Sequence, residues 1–266
     1  MVLLKQIVAR AQSDKQRIVL PEAEEERTLK AADRALQDGL ADIILIGNPE
    51  NIRKEAEEWG LKNIDKATIV DPKNNPRCEE YAEKLAELRK KKGMTIEQAR
   101  KLVTENNLYL GCMIIKTEGA DGQISGALST TGETLRPALQ IIKTKPGNKI
   151  VSSCFIMVRP AASGENEVLA MADCAINIKP NEDELVEICK ETVSCAKIFG
   201  VDPKVAFLSY STLGSGKGED VDKMRNACEK AKALMPDTPI GGEFQFDAAV
   251  SPAVAKTKHI TDAVGG

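Results

Sequence analysis

The chain has 266 residues, 42% of them hydrophobic and 29% charged, which is typical of a globular protein with a substantial core. Its 37 basic and 40 acidic residues give a formal net charge of -3 and form no basic stripe, so nucleic-acid binding is not indicated. No apolar run approaches membrane-spanning length, and the first residues, MVLLKQ, do not resemble a signal peptide. We therefore expect a cytoplasmic protein that binds neither nucleic acid nor membranes.

Seven cysteines and a single histidine limit the chemistry that the chain can carry out. The cysteines form no CxxC pair and have mostly apolar neighbours, which fits reduced thiols that pack as small hydrophobic side chains. His259 is the only histidine and has no Cys/His cluster around it in the sequence. The sequence therefore predicts neither a histidine-activated nucleophile nor a zinc site.

Strands and helices alternate with short connections through the first part of the chain. The run DIILI at 42–46 is typical of a strand buried on both faces of a parallel sheet. Thr95 and Gln98 have the spacing of a capping box, which predicts a helix start there and a helix break at Gly93. The predicted strands are 18–20, 42–46 and 67–70, and the predicted helices are 24–36, 49–59, 78–92, 95–106 and 107–117. This order indicates βαβ architecture.

The sequence KPGN at 145–148 is the clearest break in the chain, so we expect one α/β domain over 1–147 and a second over 148–266. The second part contains a polar turn at 159–166. Its predicted strands are 150–158, 168–172, 205–209 and 239–241, and its predicted helices are 182–199, 220–234 and 246–258. The fold class that follows is α/β.

The segment 121–147 is the most informative one for function. It is predicted to form a short strand, a hydroxyl-rich turn and a helix whose first turns carry Arg136. Free backbone N–H groups at the helix start, the hydroxyls of Ser129, Thr130 and Thr131, and a guanidinium nearby together suit an anion such as a phosphoryl group. The alternative is that the hydroxyls only cap the helix and that Arg136 is a solvated surface residue.

A second glycine-rich segment, GSGKG at 214–218, superficially resembles a nucleotide-binding P-loop. Ser211 stands where that motif needs its first glycine, and Gly218 stands where it needs a metal-binding hydroxyl. We therefore expect a flexible turn before a helix instead of an ATP site.

Several segments occur in the order seen in phosphotransacetylases, the phosphate acetyltransferases. They are IVLPEAEEERTLKAA (18–32), SGALSTTGETLRPALQIIKTKPG (125–147), ADCAIN (172–177), FLSYSTLGSG (207–216) and FQFDAAVSP (244–252). Together they extend over nearly the whole chain, so the chain resembles this family. The resemblance implies two α/β/α domains with mostly parallel sheets, an active site in an interdomain cleft, and a homodimer.

The resemblance also implies an activity, the reversible transfer of an acetyl group between acetyl phosphate and coenzyme A. In this family the thiolate of coenzyme A attacks the acetyl carbonyl directly, with both substrates bound, without an acyl-enzyme, a metal or a separate cofactor. Arg136 and Arg89 correspond to arginines of the cleft. By composition alone, Arg89 lies at a basic helix end, where it would interact with the helix dipole and with water.

Family members continue beyond the point that corresponds to Gly266, and their further segment completes the first domain. It also supplies a Ser-Arg pair and an aspartate base, so the resemblance leaves the catalytic residues of these 266 residues unknown and implies weak or no turnover. Asp262 is expected to be solvated. A non-catalytic relative that binds phosphorylated metabolites or a protein partner is the alternative. A decarboxylating dehydrogenase of similar fold is disfavoured because no metal-binding aspartate cluster is evident.

Overall fold

A computed structural model describes residues 2–160 and 166–266 of the chain. The chain divides into two units with their own internal packing, Met1–Lys143 and Thr144–Gly266. This division lies close to the predicted boundary after Gly147. The predicted domain ranges and the predicted cleft stay predictions.

Four parallel strands form the sheet of the first unit. They are β1 (Gln16–Leu20), β2 (Ala41–Ile46), β3 (Thr68–Val70) and β4 (Gly122–Gln123), in the spatial order β3-β2-β1-β4. The last four residues of β2 are all buried, which confirms the predicted fully buried strand. Such continuous burial requires packing against both faces of the sheet.

Helices cover both faces of this sheet, because side chains of a strand point alternately to opposite sides. Helices α2 (Glu26–Gln37) and α3 (Pro49–Glu58) pack on the face that carries Leu20 and Leu45. Helices α4 (Cys78–Arg89), α5 (Ile96–Glu105) and α6 (Asn107–Lys116) pack on the face that carries Val19 and Ile46. The first unit is therefore an α/β/α sandwich. Helix α1 (Val2–Ser13) precedes β1 and has no counterpart among the predicted elements.

The predicted helix boundaries around residue 93 are confirmed. A short 3-10 turn at Lys90–Lys92 follows α4 and ends at Gly93, whose φ of 75° is left-handed. Thr95 then caps α5, since its hydroxyl accepts from the N–H of Gln98 while the Gln98 side chain accepts from the N–H of Thr95. The predicted strand, turn and helix of segment 121–147 are also present, as β4, a loop, α7 (Thr131–Pro137) and a π-helical turn at Ala138–Ile142.

The second unit contains two pairs of strands. Strands β5 (Cys154–Pro160) and β6 (Asn166–Ala172) form an antiparallel hairpin, whereas β7 (Val205–Leu208) and β8 (Ile240–Phe244) are parallel. Helices α8 (Glu182–Ile198) and α9 (Glu219–Leu234) pack on the parallel pair around Phe207. The α/β class is thus confirmed, and the described strands are mostly parallel, with the hairpin as the exception.

Three predictions for the second unit need correction. Strand β5 begins at Cys154, not at 150, and the single predicted helix over 246–258 is two helices, α10 (Phe246–Val250) and α11 (Pro252–Thr257). The break arises because a residue before proline avoids helical geometry, and Ser251 is extended with φ -124° and ψ 113°. Asp262 is partly buried against Gly241 and accepts from the N–H of Val264, so it is only partly solvated. Residues 161–165 of the predicted polar turn lie outside the described residues.

Replacing the capping residue of α5 tests the confirmed helix boundary. Thr95→Ala removes the hydroxyl that accepts from the Gln98 N–H, so we expect the free energy of unfolding of the first unit to fall by about 1 kcal/mol. Urea unfolding followed by the fluorescence of Trp59, the only tryptophan, measures this change. Thr95→Ser keeps the hydroxyl and should recover most of the loss. An equal loss in both variants would contradict the capping interpretation.

Candidate anion-binding site

The parallel pairing of β1 with β4 brings two distant segments of the chain together. Ile18 pairs with Gly122 and Val19 with Gln123, so the residues that follow both strands leave the sheet at the same edge. This edge, beyond the carboxyl ends of parallel strands, is where open α/β sheets bind ligands. Glu22, just after β1, faces the loop at 126–129 that leads into α7.

The carboxylate of Glu22 occupies this loop. One oxygen, Oε2, accepts from the backbone N–H groups of Gly126 and Ala127, at 2.7 and 2.8 Å. The other, Oε1, accepts from the N–H groups of Leu128 and Ser129, at 3.0 and 2.8 Å, and from the Ser129 hydroxyl at 2.7 Å. Burial disfavours the charge, but the hydrogen bonds together outweigh it and lower the pKa of Glu22 to about 2.

The N–H groups of the loop at 126–129 are therefore occupied, whereas the prediction concerned the N–H groups at the start of α7, of which that of Glu133 donates to the Thr130 hydroxyl. The loop is an anion-binding loop, and its anion is a side chain of the same chain. Thr130 is engaged as well, because its N–H and its hydroxyl both donate to Glu133 Oε2, at 2.8 Å, in a capping box. Of the three predicted hydroxyls, only that of the exposed Thr131 makes no hydrogen bond with a described residue.

The charges of the two predicted arginines both act on one phenol, that of Tyr109. Arg89 ends α4, Arg136 lies in the last turn of α7, and Tyr109 lies in the first turn of α6. The Tyr109 hydroxyl donates to Gln140 Oε1 at 2.9 Å. Burial raises the pKa of Tyr109, while the charges of Arg136 and Arg89 both oppose that rise. Both guanidinium groups therefore act electrostatically on the same buried hydroxyl, although they are far apart in sequence.

Some buried polar atoms near this region have no partner. The Nε of Arg89, the Oγ1 of Thr134 and the Oε1 of Gln123 are buried and make no hydrogen bond to any described residue. Buried polar groups are nearly always hydrogen-bonded in native proteins. Arg89 Nε, a charged donor, is the one that suits an anion, whereas Arg136 is exposed and reachable from solvent.

A buried carboxylate also holds the glycine-rich loop after β7. Glu243, whose side chain is 1% exposed, accepts from the Ser211 hydroxyl at 3.0 Å and from the Gly214 N–H at 2.7 Å. Arg225 pairs with it, its Nε 3.1 Å from Glu243 Oε2. These contacts occupy two donors of the loop, the Ser211 hydroxyl and the Gly214 N–H.

Sequence reasoning missed Glu22, Tyr109 and Gln140. The signal for Glu22 was its position directly after a predicted parallel strand, at the sheet edge where ligand loops gather. Tyr109 and Gln140 had no local signal, because Tyr109 follows helical spacing like its apolar neighbours. Within residues 2–160 and 166–266, no group of three or more His, Cys, Asp or Glu side chains could hold a metal ion, and no helix is long and apolar enough to cross a membrane.

Comparison with known proteins identifies the family. The sequence profile of the family described as Phosphate acetyl/butaryl transferase matches residues 2–266. The chain belongs to this family. It is 48% identical over 268 residues to the phosphate acetyltransferase of Thermoanaerobacterium thermosaccharolyticum, covering 100% of the chain and 80% of that relative. It is 42% identical to the phosphate acetyltransferase of Corynebacterium glutamicum, covering 98% of the chain and 77% of that relative.

Solved structures agree with this membership of the phosphate acetyl/butaryl transferase family. The phosphotransacetylase of Streptococcus pyogenes matches with a TM-score of 0.91 and 42% identity, over 100% of this chain and 79% of that chain. A branched-chain phosphotransacylase of Enterococcus faecalis matches with a TM-score of 0.63 at 18% identity, a likeness of fold alone.

Glu22→Gln tests the internal anion. The pKa of Glu22 is about 2 in the folded protein against an ordinary 4.5, so its contribution to stability is present above about pH 4.5 and is lost as the pH falls towards 2. We expect Glu22→Gln to lower the free energy of unfolding by roughly 2 kcal/mol at pH 7, since bonds to a charged acceptor are replaced by bonds to an amide. The difference from wild type should shrink steadily below pH 4.5. Urea unfolding at several pH values measures it.

Glu57→Gln, at an exposed position of α3, serves as the control for this series. Its effect should stay within about 0.5 kcal/mol, as is usual for surface positions. A Glu22→Gln effect of the same size as this control, or one that does not vary with pH, would show that the carboxylate charge does not hold the loop.

Proposed function

We propose that this chain is a phosphate acetyltransferase, which transfers an acetyl group reversibly between acetyl phosphate and coenzyme A, with weak or no turnover from these 266 residues alone. Membership of the phosphate acetyl/butaryl transferase family supports the reaction class, and relatives at 42–48% identity carry the name phosphate acetyltransferase. In this chain the proposal is supported by the Nε of Arg89, which is buried and unpartnered among the described residues, and by the charges of Arg89 and Arg136, which both act on the Tyr109 hydroxyl.

The substrate phosphate is assigned to the two arginines and not to the backbone of the loop. A guanidinium is permanently charged and offers a planar set of donors that matches a phosphoryl group. The loop amides at 126–129 are bound by Glu22, whose charge would repel a second anion placed on the same N–H groups. Arg136 is exposed and meets the incoming anion, Arg89 supplies the buried donor, and the free Thr131 hydroxyl adds a neutral donor.

Ser129 and Thr130 contribute to the site by shaping it. Their hydroxyls bind Glu22 and Glu133, which sets the path of the loop and the start of α7. Because Arg136 lies only two turns further along this helical segment, the orientation of its side chain depends on these two carboxylates. Ser129 and Thr130 are thus proposed to position the substrate-binding arginine, with direct contact to substrate assigned to Thr131.

The proposed reaction is a direct displacement at the acetyl carbonyl. The thiolate sulfur of coenzyme A forms the new C–S bond, the C–O bond to the phosphoryl group breaks, and inorganic phosphate leaves with the electron pair. Cationic groups beside the phosphoryl oxygens favour this step because negative charge accumulates on the leaving group. The proposal includes no acyl-enzyme, no metal and no cofactor, since coenzyme A is itself a substrate. A homodimer in the cytoplasm is the proposed assembly and location.

Arginine-to-alanine variants test the proposal. Arg136→Ala and Arg89→Ala each remove a charge-assisted contact that typically contributes about 1.5 to 3 kcal/mol, so we expect kcat/KM for acetyl phosphate to fall roughly ten- to more than a hundredfold. Thioester absorbance measures turnover. Calorimetric titration with inorganic phosphate measures binding independently of turnover, so a protein that binds without catalysing transfer is recognised as such.

Arg53→Ala is the matched control, because Arg53 is an exposed arginine of α3, on the opposite face of the sheet from α6. Its turnover and phosphate affinity should equal those of wild type. Should Arg136→Ala and Arg89→Ala behave like Arg53→Ala in both assays, the two arginines do not bind the substrate phosphate.

A further inference from the structure

Two cysteines of the second unit are in direct contact, although neither belongs to the candidate site. Cys154 begins β5 and Cys195 lies near the end of α8, and their sulfur atoms are 3.4 Å apart. Both are free thiols and both are partly exposed. A disulfide has a sulfur–sulfur distance of about 2.05 Å, so the two sulfurs are in contact but must move closer before they can bond.

The other cysteines differ from this pair. Three of them, Cys112, Cys189 and Cys228, are buried, and Cys78 is partly exposed on α4 beside Glu79 and Arg100. Cys174, in the turn after β6, lies close enough to act electrostatically on Cys154, but its sulfur donates to the Ser153 hydroxyl at 3.4 Å. Cys154 and Cys195 are thus in sulfur-to-sulfur contact, while Cys174 is engaged with an oxygen.

We propose that Cys154 and Cys195 form a reversible disulfide when the protein meets a peroxide. In the first step one thiol loses its proton and its sulfur attacks a peroxide oxygen, so that the O–O bond breaks and a sulfenic acid forms, while the released proton joins the leaving hydroxide to give water. In the second step the other thiol attacks that sulfur, the S–S bond forms, and a second water leaves. The balance is two thiols and one hydrogen peroxide to one disulfide and two waters, with the sulfurs oxidised and the peroxide reduced.

The surroundings of the pair set the rate of this reaction. Burial, followed by the contact with Cys195, raises the pKa of the Cys154 thiol to about 11. The titratable groups that face it are Cys195 on α8, and Cys174 and Asp173 in the turn after β6. Because the thiolate is the nucleophile, oxidation is slow near neutral pH and becomes faster as the pH rises.

The bond would tie the hairpin to the helix that follows it. Cys154 and Cys195 are 41 positions apart, so the disulfide closes a long loop of the second unit. Closing a long loop stabilises a protein mainly by restricting its unfolded state. The oxidised protein should therefore have a higher Tm than the reduced protein, and dithiothreitol should return the Tm to its starting value.

The experiment oxidises the reduced, full 266-residue chain with hydrogen peroxide. We expect the intact mass to fall by two hydrogens and the non-reducing peptide map to contain one crosslink, between the peptides of Cys154 and Cys195. The same treatment in urea should give mixed crosslinks among the seven cysteines, because only the fold selects this pair. The map of wild-type protein needs no variant, so the proposal stays testable even if a variant fails to fold.

Cysteine-to-serine variants test which thiols form the crosslink. Cys78→Ser removes a partly exposed thiol elsewhere and should leave the crosslink and the Tm shift unchanged. Cys154→Ser and Cys195→Ser should each abolish both. A crosslink between Cys154 and Cys174, a folded chain whose thiols go only to sulfinic acid, or mixed crosslinks identical to those in urea would each overturn the proposal.

Discussion

The contact between the Glu22 carboxylate and the loop at 126–129 is the constraint on which the candidate site depends. Four backbone N–H groups and one hydroxyl converge on this single side chain, and the bonds outweigh a burial that disfavours the charge. Glu22 lies two residues after the end of β1, so these bonds attach the loop to the central sheet. These bonds fix where α7 starts. The start of α7 in turn sets the position of Arg136.

In the second unit, carboxylates also hold loops in place through hydrogen bonds. Asp173 accepts from the Ser153 hydroxyl and from backbone N–H groups of the turn after β6, and its pKa is lowered although burial opposes this. Glu243 holds the loop after β7 through Ser211 and Gly214. In each case a carboxylate neutralises backbone donors that would otherwise attract a foreign anion. In the proposed function, phosphate binding is therefore assigned to side chains, above all arginines.

The arginines of the first unit relate this fold to the activity of its family. Membership of the phosphate acetyl/butaryl transferase family concerns the whole chain, from residue 2 to residue 266. In the proposed function the phosphoryl group of the substrate is bound by two cationic side chains of the first unit, Arg89 with its buried Nε and the exposed Arg136.

The sequence by itself determined what depends on near neighbours. The capping box of Thr95 and Gln98, the helix break at Gly93 and the buried strand predicted at 42–46 follow from patterns of a few residues, and all are present. The helix break at Pro252 also had a local signal, and reasoning from helical composition alone missed it. The resemblance to phosphotransacetylases likewise rests on short segments read in order, and the family is confirmed.

Only the tertiary structure decided which distant residues meet. Glu22 lies 104 to 107 positions before the groups it binds, and Tyr109 is 31 positions from Gln140. Cys154 and Cys195 come together only because α8 packs back towards the hairpin. Such contacts cannot be predicted from local periodicity, because they depend on the register of parallel strands and on how helices pack on the sheet. The binding of the Glu22 carboxylate to the loop N–H groups before α7 was not predicted from the sequence.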